Sequence, residues 1–487
     1  MKDGELINLN PRELWENFQI LCSIPRLPKK EKKAAAFVKE FGEKLGLETI
    51  VDAAGNVIIK KPASKGMENR GGVILQAHLD MVPQKNSGIE HDFEKDPIRA
   101  YVDGEWVKAR ETTLGADNGI GVAAAMAVLQ STDVRYGPVE ALFTVDEEVG
   151  MTGAFNLKPS ILTGGILLNT DSEMEGELCV GCAGGVNANI TFRYVEEKVP
   201  GGFISYSIKV SGLKGGHSGV NINLGRGNAN KILNRFLRHA AKKYGLRLSV
   251  IEGGNMRNAI PRESFAVAIV PGSKIVEFLD YAREFEKIVK NELAVKDPRI
   301  RFEVKQSDMP DFVMDEKTQS SMINAVYGCP NGVIAASDDM PDVVETSTNL
   351  AVVKSQNREI TVLCLLRSSV ESSKEDLSNM VESVFELAGA DCVFEGSYPG
   401  WKANLNSPAL RVMKESYEKK FGKTPEIKAI HAGLECGIIK SAYPELDMIS
   451  FGPTICFPHS PDEKVNIKSV GRFWELLVET LKNIPEK

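Results

Sequence analysis

The sequence predicts an α/β protein that carries a second, inserted α+β domain. Up to about residue 187, amphipathic helices alternate with short apolar strands such as VILQAHLD and GILLNTD. After Gly185 the pattern changes to helices alternating with paired strands, and near the end of the chain another polar segment, ISFGPTICFPHSPDEKV, appears. We therefore expect one domain divided between residues 1–187 and 396–487, with the inserted domain at 188–395.

The divided domain is expected to contain a mixed sheet flanked by helices. Apolar periodicity predicts helices over Pro11–Cys22 and Glu31–Leu45. In the segments VILQAHLD, ALFTVDEEV and GILLNTD the apolar strand gives way to polar residues near its end: His78 and Asp80, Asp146 to Glu148, and Asp171. Open α/β sheets place their binding and catalytic sites at the carboxyl ends of their strands, so we expect the functional residues of this protein at these strand ends.

The inserted domain shows a β-α-β-β-α-β order, which is the ferredoxin-like pattern. Its elements are the strand FISYSIKV, a helix over 228–244, the strands LRLSVIE and SFAVAIV, a helix over 274–293 and the strand RIRFEVK. A second, partial copy is predicted from a helix near 319–327, a hairpin of NLAVVKS and EITVLCLL turning at Gln356 and Asn357, a helix over 374–387 and the strand CVFEGS.

Composition and charge narrow the classes of partner. The 487 residues include 59 Lys and Arg against 66 Asp and Glu, and the basic residues are scattered, which argues against a nucleic-acid partner. The longest apolar run, Gly119–Leu129, is too short for a membrane span, and the first residues do not resemble an export signal. The 8 cysteines, including the pair Cys179 and Cys182, mostly lie in apolar segments, as expected of reduced thiols. We expect a cytoplasmic protein.

Five potential metal ligands lie at strand ends or at the starts of loops. They are His78, Asp117, Glu148, Asp171 and His459. Two imidazoles and three carboxylates can hold two divalent ions, and zinc accepts both types of ligand. A carboxylate that bridges the two ions is best assigned to Asp117. Each residue also has a simpler explanation, such as a helix cap at Asp117 or a turn at Asp171. Their joint occurrence favours the metal site.

Two further acidic residues accompany these ligands. Asp80 is two residues after His78 and can accept its second ring N–H. Glu147 precedes Glu148, and adjacent side chains point in different directions, so one can bind metal while the other faces a reacting water. Solvated polar strand ends are the alternative interpretation.

Several segments, in this order along the chain, resemble those of the co-catalytic zinc peptidases, a family that includes aminoacylases, glutamate carboxypeptidases and dipeptidases. They are QAHLDMVP, LGADNGIG, FTVDEEVGMTGA, LLNTDSE, GLKGGHSGVNINLGRGNA, GNMRNAIP, HAGLECG and SFGPTICFPHSPDE. The GLKGGHSG and FPHSPDE blocks are the most specific of these. The likeness extends over essentially the whole chain.

This resemblance implies a role for each matching residue. It assigns His78 and Asp171 to one zinc, Glu148 and His459 to the other, Asp117 to both, Glu147 as general base, Asp80 as support of His78, His217 as oxyanion stabiliser, Arg367 and Asn258 as substrate-binding residues, and Glu435 as a site-proximal acid. Arg367 is the candidate for the peptide carboxylate. Three of these residues also have purely structural interpretations: His217 could serve a turn, Asn258 could cap or bridge backbone, and Arg367 could belong to a surface ion pair. The resemblance does not fix the role of Glu435.

The resemblance also implies an activity. We expect metal-dependent hydrolysis of dipeptides, Xaa-His and others, by a water activated by two Zn²⁺, with Co²⁺ or Mn²⁺ as other candidate metals. The inserted domain would act as a lid, and a homodimer through this domain is one expectation. A deacylase or carboxypeptidase for N-acyl amino acids and a non-catalytic peptide-binding protein are the alternatives.

Overall fold

The computed structural model describes residues 6–486, so part of the N-terminal segment considered for an export signal lies outside the described residues. The chain forms two compact units. Of the described residues, the first unit comprises 6–182, Trp401–Ala429 and 434–486, and the second comprises Ala183–Gly400 and Ile430–Gly433. The chain thus leaves the first unit at 182/183 and not at 187/188, because the first strand of the second unit already begins at Gly184. The chain re-enters the first unit at Trp401, and later the four residues Ile430–Gly433 belong again to the second unit.

The described helices and strands are listed here in chain order. The α-helices are α1 (Arg12–Cys22), α2 (Lys32–Lys44), α3 (Ala116–Gln130), α4 (Glu147–Gly150), α5 (Thr152–Phe155), α6 (Ala229–Tyr244), α7 (Ile275–Glu292), α8 (Glu316–Gly328), α9 (Glu371–Leu387), α10 (Pro408–Phe421), α11 (Glu435–Ala442) and α12 (Ile467–Asn483). The strands are β1 (Glu48–Val51), β2 (Val57–Lys61), β3 (Val73–His78), β4 (Ala100–Asp103), β5 (Trp106–Ala109), β6 (Val139–Thr144), β7 (Ile166–Asn169), β8 (Glu177–Cys182), β9 (Gly184–Arg193), β10 (Glu196–Glu197), β11 (Phe203–Ser211), β12 (Gly216–His217), β13 (Arg247–Gly253), β14 (Ala259–Ile260), β15 (Ser264–Pro271), β16 (Arg301–Gln306), β17 (Val313–Met314), β18 (Gly332–Ala336), β19 (Val344–Gln356), β20 (Glu359–Ser368), β21 (Asp391–Tyr398), β22 (Glu426–Ile430), β23 (Asp447–Ser450), β24 (Ile455–Cys456) and β25 (Lys464–Asn466).

The first unit is built on a mixed sheet of eight strands in the order β1-β2-β6-β3-β7-β23-β8-β22. The central strands β6, β3, β7 and β23 are parallel, whereas β1 and β2 add to the edge in antiparallel fashion. All residues of β3 and β6 are buried, which explains why these strands are almost continuously apolar. Helix α3, buried from Ala116 to Leu129, packs against β3. The predicted α/β class is confirmed.

The second unit contains a nine-stranded antiparallel sheet whose main path is β16-β11-β15-β13-β19-β20-β9-β21. Its first half follows the predicted order β11-α6-β13-β15-α7-β16 along the chain. Numbered within this copy, the strands lie in the spatial order 4-1-3-2, as in a ferredoxin-like fold.

The second half of this sheet is a complete copy of the same motif. Its elements are β9, α8, β19, β20, α9 and β21, and its strands also lie in the order 4-1-3-2. Sequence reasoning missed its first strand, β9, because the whole first copy is inserted between β9 and α8. The two copies join where β13 pairs with β19. The hairpin turn falls at Asn357 and Arg358, one residue later than expected, and both have a positive φ.

Two global features complete the description. Across residues 6–486, no helix combines the length and the apolar character that crossing a membrane requires. Within residues 6–486 the eight cysteines form no disulfide bond, and six of them are buried.

Candidate active site

The polar residues of the first unit converge at one edge of its sheet. His78 is the last residue of β3, Thr144 the last of β6, and Asn169 the last of β7. These strands are parallel neighbours, so their carboxyl ends meet at the same edge. Asp80 and Asp171 each follow two residues after a strand end and extend that edge.

Asp117 lies between the two histidines and offers one carboxylate oxygen to each. Its Oδ1 is 3.2 Å from His78 Nε2, and its Oδ2 is 3.2 Å from His459 Nε2. Asp171 Oδ1 is 3.1 Å from the same nitrogen of His78, and Glu148 Oε2 is 3.1 Å from that of His459. The five predicted ligands therefore form two sets, each of one imidazole and one carboxylate, that share Asp117.

The electrostatics of these ligands fit a bound cation. Hydrogen bonds to Asp117 and Glu148 raise the pKa of His459 to about 11, so in this acidic surrounding the imidazole holds a proton. Glu148 Oε1 is buried and has no hydrogen-bond partner among the described residues. His78, Asp117 and Glu148 bring ligand atoms within 4.8 Å of one another. Divalent cations would replace the proton on His459 and could bind the unused Oε1 of Glu148.

Asp80 connects His78 to the segment that carries both glutamates. His78 Nδ1 lies 3.2 Å from the backbone oxygen of Asp80 and 3.5 Å from its Oδ1, which places the proton on Nδ1 and leaves Nε2 as the ligand atom. The two carboxylate oxygens of Asp80 accept the backbone N–H groups of Glu147 and Glu148, both at 3.0 Å. Burial opposes the charge on Asp80, but the hydrogen bonds from His78, Glu148 and Glu147 outweigh it and lower its pKa.

Glu147 opens the short helix α4. Burial raises its pKa well above the usual value, and the nearby charges of Asp171, Glu435 and Glu148 add to this effect, while His78 opposes it. A carboxylate whose proton affinity is increased in this way is suited to accept and return a proton near neutral pH.

Glu463 holds the loop that leads into Asp117, and sequence reasoning missed it. Its side chain is 2% exposed. It accepts the backbone N–H groups of Leu114 at 2.8 Å, Gly115 at 2.9 Å, Ala116 at 2.8 Å and Asp117 at 3.3 Å. The available signal was its place in the same FPHSPDE block as His459.

Arg26 supports the same loop from another segment and was also missed. Its Nη1 donates to the backbone oxygens of Leu79 and Asp80, each at 3.0 Å, and its Nη2 donates to that of Gly115. The guanidinium thus ties the end of β3 to the Asp117 loop. No motif surrounds Arg26 in the sequence.

Glu435 is buried beneath the strand ends and is 1% exposed. Its Oε2 accepts hydrogen bonds from Gln76 Nε2 and Thr144 Oγ1, both at 2.7 Å, whereas its Oε1 has no hydrogen-bond partner from residue 6 to residue 486. Burial raises its pKa to about 7. These contacts are those of a residue that supports the strand ends from below.

Three predicted residues, His217, Asn258 and Arg367, belong to the second unit. His217 Nδ1 accepts the backbone N–H groups of Gly219 and Val220, both at 3.1 Å, so the ring proton is on Nε2. Burial and the charge of Arg367 lower the pKa of His217, which keeps the imidazole neutral. Asn258 is exposed and adjoins this residue: its backbone oxygen accepts the N–H of Ser218 at 2.8 Å.

Arg367 lies in β20 with its side chain buried, 5% exposed. Its Nη1 donates to the Tyr398 hydroxyl at 2.8 Å. His431, which sequence reasoning left without a role, lies 2.7 Å from Ser347 Oγ through Nε2. Burial and then the charge of Arg367 lower the pKa of His431 to about 3. His217, His431 and Arg367 are thus within electrostatic reach of one another in this unit.

Comparison with known proteins assigns the family. The model of peptidase family M20/M25/M40 matches residues 74–483. The chain belongs to this family. The members of this family are peptidases, and this chain is therefore a hydrolase.

Two relatives resemble the chain along its whole length. It is 48% identical to the cytosol non-specific dipeptidase of Escherichia coli (strain K12), over 99% of this chain and 100% of that protein. It is also 48% identical to the aminoacylhistidine dipeptidase of Vibrio alginolyticus, whose crystal structure superposes with a TM-score of 0.94 over 99% of both chains. The aminopeptidase PepT of Bacillus cereus, 16% identical with a TM-score of 0.58 over 98% of this chain and 99% of that chain, shares the fold.

Proposed function

We propose that this protein hydrolyses dipeptides, Xaa-His and others, at a site that holds two Zn²⁺ ions. The observation that carries the proposal is the position of Asp117, whose two oxygens face His78 and His459 separately. A shared carboxylate with one imidazole and one further carboxylate on either side is suited to two divalent ions. The names of the two 48% identical relatives support dipeptides as substrates.

Bound zinc would supply a Lewis acid and lower the pKa of a coordinated water. Co²⁺ and Mn²⁺ accept the same nitrogen and oxygen ligands and are alternative occupants. Glu147 accepts the proton of the attacking water and returns it to the leaving amine. Asp80 keeps the His78 proton on Nδ1 and anchors the Glu147 backbone through its own carboxylate.

The second unit supplies the groups that recognise substrate. His217, with its proton on Nε2, donates to the oxyanion of the tetrahedral intermediate. Arg367 binds the substrate carboxylate, because a buried guanidinium that no described acidic residue pairs with calls for an anion. Asn258 has an exposed side chain next to the His217 segment and binds the peptide backbone. The lid role of the inserted domain and a homodimer through it remain predictions.

Glu435 fits a supporting role better than contact with substrate, since its carboxylate is occupied by Gln76 and Thr144. We place the protein in the cytoplasm. The mostly buried cysteines, which suit a reducing compartment, and the name of the Escherichia coli relative support this location.

The test is a substrate panel on metal-stripped protein, with and without added Zn²⁺, Co²⁺ or Mn²⁺. The panel contains Xaa-His dipeptides, other dipeptides, β-alanyl-histidine and N-acetyl amino acids. We expect metal-dependent cleavage of free dipeptides. Cleavage of the N-acetyl compounds alone would indicate a deacylase, and no cleavage with any metal would leave peptide binding as the function.

A further inference from the structure

The surroundings of Arg367 leave a positive charge without an internal counter-charge. Its side chain is 5% exposed, and it forms no ion pair with an acidic residue within the described range 6–486. Its Nε is buried and has no hydrogen-bond partner in the part of the chain that the structure describes. A buried, unpaired cation is unfavourable, so the geometry calls for an anionic group from a ligand. The inference that this anionic group is the carboxylate of a peptide rests on the proposed function.

Tyr398 is the residue that contacts the guanidinium. The Tyr398 hydroxyl accepts the hydrogen bond from Arg367 Nη1 at 2.8 Å. Among residues 6–486 no acceptor is found for the hydroxyl's own proton. A phenol O–H that is not used internally can donate to a ligand, and a carboxylate is a good acceptor for it.

The ring of Tyr398 is held in place from several directions. A Cβ on Gly185 would lie 2.6 Å from the Tyr398 hydroxyl, and one on Gly433 would lie 3.0 Å from its Cε2. Both glycines therefore permit a close approach of backbone to the ring. Lys374 Nζ, itself buried, donates to the backbone oxygen of Tyr398 at 2.7 Å. The hydroxyl is consequently presented in a defined position beside Arg367.

We propose that Tyr398 is a specificity-determining residue whose hydroxyl donates to the same ligand carboxylate that Arg367 binds. The two side chains form a clamp with two donors of different type, one charged and one neutral. Such a clamp selects short peptides with a free C-terminal carboxylate over the corresponding C-terminal amides. An amide presents only one oxygen and no charge, so it cannot satisfy both donors equally well.

The test compares Tyr398→Phe with the unmodified protein on one dipeptide and its C-terminal amide. Phenylalanine keeps the ring against Gly185 and Gly433, so the variant should fold, which its melting temperature checks. We expect kcat/KM for the free dipeptide to fall about tenfold, as for loss of a hydrogen bond to a charged group, and that for the amide to change less than about twofold. Tyr327→Phe, at an exposed tyrosine of the same unit, is the matched control.

The outcomes separate this inference from the proposed function. If the unmodified protein cleaves dipeptide and amide equally well, carboxylate recognition by Arg367 itself is refuted. If it prefers the carboxylate, and Arg367→Met removes the preference while Tyr398→Phe retains it in full, only the role of Tyr398 is refuted. Loss of preference in both variants supports the clamp.

Discussion

The carboxylate of Glu463 accepts the backbone N–H of Asp117 at 3.3 Å, although the two residues are 346 positions apart. It accepts three further N–H groups from the residues just before Asp117. The backbone at Asp117 is therefore held by a buried acid from the block that also contains His459. Rigid support of this kind sets the direction in which a ligand side chain points.

Replacement of Glu463 should weaken metal binding. In Glu463→Gln the side-chain amide would present N–H groups to backbone donors, so part of the support for the Asp117 loop is lost. We expect metal affinity to fall about 10- to 100-fold, the usual range for residues that support metal ligands. Competition with a chelating dye measures this. Asp462→Asn, at the exposed neighbour, is the control and should behave like the unmodified protein; equal affinity in both variants would contradict the supporting role.

Replacement of Glu147 should separate catalysis from metal binding. Glu147→Gln keeps the shape of the side chain but removes its ability to accept a proton. We expect dipeptide turnover to fall by about 10²- to 10⁴-fold, because that is the usual contribution of a general base. Metal content, measured by mass spectrometry of the purified protein, should stay unchanged. Turnover within a few-fold of the unmodified level would rule out the base assignment.

The shared position of Asp117 predicts different metal stoichiometries for two ligand variants. His459→Gln removes a ligand from one set only, so one metal ion should remain tightly bound. Asp117→Asn weakens both sets, so neither ion should bind with the original affinity. Titration calorimetry on metal-stripped protein gives the number of ions per chain. His239→Gln is the control, since His239 stacks on Tyr281 in the second unit; two tightly bound ions in Asp117→Asn would show that this carboxylate is not shared.

His431 should make the folded protein sensitive to acid. Its pKa is lowered to about 3 in the folded chain by burial and by Arg367, against about 6.5 when unfolded. Between these values the unfolded chain binds the extra proton, so the free energy of unfolding decreases as the pH falls from about 6.5 towards 3. The limit of this effect is about 5 kcal/mol, from about 1.4 kcal/mol per pKa unit.

His431→Gln removes the titrating group and should reduce the loss of stability on acidification. Urea unfolding of metal-stripped protein at pH 7 and pH 4.5 measures the difference. Metal is removed so that protonation of the proposed ligands cannot release an ion during the comparison. His239→Gln should lose stability as steeply as the unmodified protein. An equally steep loss in His431→Gln would exclude His431 as the cause.

Local patterns along the chain were sufficient for much of the architecture. The helix predicted over Pro11–Cys22 is α1, Arg12–Cys22, because its apolar residues repeat with the helical period. The ends of β3 and β7 could be located because buried strands are apolar and stop at polar residues. By contrast, β9 could not be assigned to the second ferredoxin-like copy, since its partner β20 comes much later in the chain.

The sequence by itself therefore determined the fold class, much of the secondary structure and the chemical types of the residues in the motifs, because each of these depends on neighbours within a few positions. Only the tertiary structure decided that Asp117 faces both histidines, that Glu463 and Arg26 hold its loop, and that Tyr398 contacts Arg367. Such contacts join segments far apart in the chain. These contacts produce no periodic pattern in the sequence. They depend on burial and on hydrogen-bond geometry, which exist only in the folded protein.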